Sequence, residues 1–223
     1  MLNILGREGL DNPFQGAFAK QKKSSYTVTK RVTPVFGKSF DEVLDALHLR
    51  NGMTISFHHH LRNGDFVLNM VMEKLRARGL KDLTVMASSI FPAHAILVDC
   101  MRDKTVTQIM TSYMSGPVAK AVSEGVCEKP VIITTHGGRP RMILEKEVTI
   151  DVAFLAAPAI DASGAISGSE GPSSCGSLGY AVADAECAKA VVAITDHICD
   201  KVKRPDIATG LTDFVVEVDR IGD

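Results

Sequence analysis

The chain has 223 residues, 45% of them hydrophobic and 23% charged, which is enough apolar material for a sizeable core and rules out wholesale disorder. Lys and Arg number 25 against 26 Asp and Glu, a formal net charge of −1, so the basic excess of a nucleic-acid-backbone binder is missing. Trp is absent, and the longest apolar runs, such as Ala190 to Thr195, are far too short to span a bilayer.

Glu8 and Asp11 interrupt the N-terminus before an apolar stretch of secretory-signal length develops. Five cysteines, an odd number without any CxxC pair, read as reduced thiols, and cytoplasm is the expected compartment. Residues 1–38 carry Gly, Pro, Ser and the basic cluster Lys20, Lys22, Lys23, Lys30 and Arg31 with little periodicity. They read either as an extended arm on a partner subunit or as a disordered tail. An α/β domain over residues 39–223 follows.

Ser39-Phe40-Asp41-Glu42 matches a helix capping box, Val43, Leu44 and Leu47 give a helical stripe, and Asn51-Gly52 stops it. A strand is expected at 53–58, then a turn at 62–65 and a helix at 66–78 ending on Gly79. Further strands are expected at 83–87, 105–112, 131–136, 150–158, 190–196 and 213–219. Helices are expected at 93–101, 117–124, 139–147 and 184–189, with a turn at 161–164. Strands thus alternate with helices, and several strands are apolar on both faces. The expected fold class is α/β, a mainly parallel sheet with helices on both faces.

In such sheets ligands gather at the carboxyl ends of the strands. Four polar, glycine-bearing segments follow strands: 58–65, 112–117, 134–139 and 167–176. One shared cleft is the economical expectation. Asp65 suits an N-cap, and the free amides of the first turn of the helix it opens could meet an oxygen anion or a tetrahedral acyl intermediate. The alternative is an ordinary strand-to-helix turn. Gly137-Gly138-Arg139 offers close backbone approach beside a cation, which suits a carboxylate or phosphate, or else it is a helix-entry turn with a surface arginine. Neither GxxxxGK[ST] nor GxGxxG occurs, which argues against P-loop and Rossmann chemistry.

The triplet His58-His59-His60 could place two imidazoles on one strand face, but only His94 and His136 are available as further ligands, so no metal is expected. Cys175, in the SSCGS loop, lacks a helper motif and reads first as a structural thiol. No serine has a G-x-S-x-G context.

The runs GMTISFHHHLRNGDFVLNMVMEKL, TSYMSGPVAKAVSEG, THGGR, IDVAFLAAPAIDASGAISG and CGSLGYAVADAECAK together resemble the citrate lyase α-subunit family, transferases of the CoA-transferase superfamily, from about residue 39 to 223. The resemblance implies exchange of acetyl for citryl on a thioester. The thiol belongs to a CoA-like prosthetic group on an acyl-carrier (γ) subunit, and a lyase (β) subunit then cleaves the citryl thioester. It further implies a glutamate that attacks the thioester, carried in a second, similar α/β half. The present chain corresponds to the first half, which alone would be inactive. Glu170 does not match that nucleophile motif.

By resemblance, Asn63, Gly64 and Asp65 belong to the oxyanion loop. His59, Arg62, Ser115, Gly116, His136, Gly137, Gly138 and Arg139 would line the substrate site. A homo-oligomer is compatible with this reading; nucleic acid and membrane are not expected partners. The competing expectation is a non-catalytic module sensing a sugar phosphate or carboxylate, although residues 1–38 are too short for the DNA-binding helices such a sensor would carry. A zinc hydrolase using His58 and His60 is the third.

Overall fold

A computed structural model describes residues 32–58, 61 and 66–222. Helix α1 (Phe40–Ala46) leads into β1 (Thr54–Phe57), α2 (Phe66–Ala77) and β2 (Leu83–Ala87). A 3-10 turn at Pro92–His94 precedes α3 (Ile96–Arg102), β3 (Val106–Thr111), α4 (Gly116–Ser123), β4 (Ile132–Ile133) and α5 (Gly138–Leu144). Then come β5 (Val152–Ala157), β6 (Ala159–Asp161), β7 (Ile166–Ser167), α6 (Ala181–Cys187), β8 (Ala190–Thr195), β9 (Ile198–Cys199) and β10 (Phe214–Glu217). Seven strands form one sheet in the order β10-β8-β5-β1-β2-β3-β4, and every pairing in it is parallel. This is the mainly parallel, two-faced sheet expected from the sequence.

Alternation along the central strands builds the two faces. Val152, Phe154 and Ala156 of β5 and Val192 and Ile194 of β8 join Ile55, Phe57 and the apolar stripes of α1 and α2 in one core. Phe57 stacks on Phe154 with ring centroids 6.0 Å apart. The intervening residues Ala153, Leu155, Val191 and Ala193 join Ile143 of α5 and the alanines of α6 in the second core. Ala181, Ala183 and Ala185 of α6 are buried in this core. In α2, Val67, Leu68, Val71, Met72 and Leu75 are buried at helical spacing. The helix closes at Gly79 (φ +74°), where the Leu80 amide reaches back to the Leu75 carbonyl at 3.3 Å.

Three departures from the expected elements have local causes. The strand expected at 131–136 shrinks to Ile132–Ile133, because β4 is the sheet edge, pairs only with β3, and turns at once into α5. A small sheet, β7-β6-β9, holds strands of two or three residues, too short for any periodicity to show. Its hairpin turns on Asp161, whose carboxylate accepts from the Ser163 and Ala165 amides and, across the chain, from the Val202 amide. Residues 32–35, grouped with the arm in the sequence, lie along β10: the Val35 amide bonds to Asp213 and the Val215 amide to Val35, both at 2.9 Å. The remainder of the expected arm, residues 1–31, falls outside the described residues. Among the described residues no helix is long and apolar enough to cross a membrane.

Two outcomes test this framework. The capping box forms as the sequence predicts, with Ser39 and Glu42 bonding reciprocally. Ser39→Ala should therefore lower the urea-unfolding free energy by about 1 kcal/mol. Burial pushes the Asp103 carboxyl up, but the Thr105 hydroxyl and amide and the Arg76 guanidinium outweigh it and hold the group down to about 2. Its contribution is complete above an unfolded value of about 3.9 and is lost as pH falls toward the folded one. Asp103→Asn should flatten the stability profile between those limits, read by urea titrations at stepped pH.

Candidate functional site

Because all seven strands run the same way, the segments leaving their carboxyl ends share one edge of the sheet. Backbone bonds continue the ladder past the strands there. The Ser88 amide meets the Phe57 carbonyl at 3.3 Å, the Ser112 amide meets Ser88 at 3.2 Å, and the Thr134 amide meets Thr111 at 2.9 Å. The hydroxyls of Ser112 and Thr134 lie 3.4 Å apart. This part of the edge is a rim of hydroxyls and amides. Exposed Tyr113 stands beside it, its ring 5.5 Å from that of Phe91.

Ser115 and Gly116 occupy the entry to α4. Gly116 has φ +66°, and a Cβ there would sit 2.9 Å from Cγ of Pro92, so only glycine lets the 3-10 turn cross this helix start. The turn into α5 is closed by Thr135, whose hydroxyl accepts from the Gly138 amide at 2.9 Å. His136 and Gly137 are exposed, and the space on the Cβ side of Gly137 is open. The His136 ring lies 5.7 Å from that of Tyr180.

The 167–176 segment covers the ends of β5 and β8. A Cβ on Gly171 would fall 2.0 Å from the carbonyl oxygen of Pro158, and one on Gly168 would fall 2.0 Å from that of Gly176. The Gly168 amide and the Ser177 hydroxyl bond to Asp206, and Ser173 bonds to Asp196. Asp196 also accepts from the Ile221 amide, and Ile221 in turn accepts from the Phe66 amide at the start of α2. The carboxylate of Glu170 accepts from the Lys203 and Arg204 amides at 3.0 and 2.9 Å, which makes it a fastening for that loop. Cys175 is half-buried, packs against both cores, and donates its amide to the Gly168 carbonyl.

The segments 112–117, 134–139 and 167–176 therefore gather on one edge, together with His58, which is buried at the end of β1. His59, Arg62, Asn63, Gly64 and Asp65 lie outside the described residues. Among the described residues no group of three or more His, Cys, Asp and Glu could hold a metal ion.

Arg139 calls for a correction. The sequence suggested an exposed cation, either for a substrate carboxylate or at the surface, but the side chain is 1% exposed and its fork is already filled. Nη1 and Nη2 each donate at 3.0 Å to one oxygen of Asp184, which has no exposed surface. Nη2 also donates to the Ser56 hydroxyl at 2.6 Å and to the Phe57 carbonyl at 3.3 Å, and Ser56 donates to Asp184 at 2.7 Å. The cluster bridges α5, α6 and β1. Its sequence signal is faint but real: Asp184 between two alanines of AVADAEC, and Ser56 between Ile55 and Phe57 in the strand TISF.

Comparison with known proteins decides the family. The family model "Citrate lyase, alpha subunit (CitF)" matches residues 35–223. The chain belongs to the citrate lyase α-subunit family. It is 40% identical to the citrate lyase alpha chain of Escherichia coli K12 over 208 residues, 93% of this chain and 41% of that one. It is 42% identical to the citrate lyase α subunit of Streptococcus mutans, solved in complex with citrate, with a TM-score of 0.83 over 91% of this chain and 41% of that one. Glutaconate coenzyme A-transferase of Acidaminococcus fermentans shares the fold at a TM-score of 0.59 and 15% identity, covering 81% of this chain and 74% of that one. The chain thus spans about two-fifths of the family members just named from E. coli and S. mutans.

Removing one partner of the buried pair strands the other charge without water. Arg139→Ala and Asp184→Ala should each lower the unfolding free energy by about 3–5 kcal/mol, measured by urea denaturation.

Proposed function

We propose that this chain supplies one wall of a citrate-dependent thioester transferase. The observation that carries the reading is the edge itself. The hydroxyl- and glycine-bearing segments at 112–117 and 134–138 meet at the carboxyl ends of a parallel sheet, within a stretch 42% identical to an α subunit solved with citrate.

In the proposed reaction an acetyl thioester and citrate become a citryl thioester and acetate. The carbon–sulfur bond to acetyl breaks, one to a citrate carboxyl carbon forms, and a carboxylate oxygen of citrate leaves in acetate. A CoA-like prosthetic group on an acyl-carrier partner supplies the thiol. The residues present suit a neutral, hydrogen-bonding arm of that kind: Ser112, Ser115 and Thr134 offer hydroxyls, and the open side of Gly137 offers backbone. His136, whose ring lies beside that of Tyr180, and Gly137 are exposed, and a carboxylate can be met there. By the family resemblance His59, Arg62, Asn63, Gly64, Asp65 and Gly116 are assigned to the same proposed wall, residues 63–65 as the oxyanion loop.

Acyl exchange through a covalent intermediate needs a nucleophile, for which the family resemblance implies a glutamate. Glu170 is engaged by two backbone amides, which supports the reading that the nucleophile lies in the remaining part of the full-length subunit. On this reading the chain works in the cytoplasm with acyl-carrier and lyase subunits, and is inactive alone.

The test is a chimera in which this chain replaces the matched 208 residues of the E. coli alpha chain, assayed with acetyl thioester and citrate beside the 223-residue chain alone. Turnover that requires citrate, seen in the chimera and absent from the short chain, is the expected result. Robust turnover by the short chain alone, or a folded but inert chimera, would refute the proposal.

A further inference from the structure

We infer that the buried Arg139–Asp184 pair is a positioning device for the site, setting the distance between the exit of β1 and the turn that opens α5; this rests on the transferase reading above. The geometry points to a role beyond holding the core. Arg139 stands in the first turn of α5, directly after Gly137 and Gly138, and its backbone amide bonds to the Thr135 carbonyl at 3.1 Å. The far end of the same side chain grips the Phe57 carbonyl, the last residue of β1. That carbonyl also receives the Ser88 amide from the β2 exit. The fork therefore links the turn that opens α5 to the β1 exit, and the β1 exit is bonded in turn to that of β2.

Asp184 fixes the fork. Its two oxygens take both terminal nitrogens in parallel, and Ser56 closes a triangle between acid, base and strand. A guanidinium held this way has one orientation, whereas an ammonium would keep the charge and lose the planar match. Nothing about core stability demands such an arrangement, since apolar side chains of similar volume often stabilise a core as well or better than a buried ion pair. What they cannot supply is a bond from α5 to the Phe57 carbonyl. Displacement of a reacting geometry by about 1 Å can cost on the order of a hundredfold in rate.

The decisive variant is the apolar replacement Arg139→Met with Asp184→Leu, which leaves no stranded charge; Arg139→Lys is its partner. In the 223-residue chain, amide hydrogen exchange of peptides covering 54–58, 88–91 and 134–139 should rise at least tenfold while the urea midpoint stays at the wild-type value. In the chimeric transferase, kcat should fall about ten- to a hundredfold while the KM for citrate moves less than threefold. Unchanged exchange and unchanged kcat in the double variant would overturn the inference. So would a raised citrate KM with kcat intact, which would make Arg139 a substrate ligand. If the double variant fails to fold, Arg139→Lys decides by the same readouts; unfolding of both would reduce the pair to a folding element and also overturn it. Failure of the transferase reading itself would look different: an inert wild-type chimera with the exchange contrast intact.

Discussion

Parallel strands share one direction, and that constraint organises everything else in this domain. A sheet of seven such strands sends every outgoing segment to the same edge, and its crossover connections lay helices on the faces, so the strands are covered on both sides. The edge is the place where backbone groups leave the ladder. Ser88, Ser112 and Thr134 extend the ladder by one bond each before the chain turns away, and the hydroxyls of Ser112 and Thr134 meet at the rim.

Close approach of backbone to backbone then shapes the cover. Gly168 and Gly171 sit where a single added carbon would overlap a carbonyl oxygen, so the 167–176 segment lies flat across the ends of β5 and β8. Carboxylates do the fastening: Glu170, Asp206, Asp161 and Asp196 each accept from backbone amides or hydroxyls of a distant segment. Burial pushes the Cys100 thiol up to about 12, so it stays protonated within the core.

Much of the fold was legible because its signals are local. A capping box, an apolar stripe at helical spacing and a terminal glycine mark α1 and α2 without reference to the rest of the chain. The continuous apolar runs of β5 and β8 mark strands covered on both faces. The small sheet left no such trace, since strands of two or three residues have no period. The edge strand β4 was read too long because Thr134 and Thr135 are good strand residues that here serve a helix entry.

The sequence by itself determined the class of fold, the family and the four segments where polar and glycine residues collect, because each rests on residues near one another in the chain. It could not determine what those segments do to each other. Arg139 and Asp184 are 45 residues apart, and Ser56 and Asp184 are 128 apart. Only the crossing of α5 and α6 over β1 brings them within hydrogen-bonding distance and converts an apparent substrate cation into an internal strut. Burial and pairing are properties of that crossing: a charge takes its role from the partner and the solvent that the tertiary structure leaves it, and neither is written in the residues beside it.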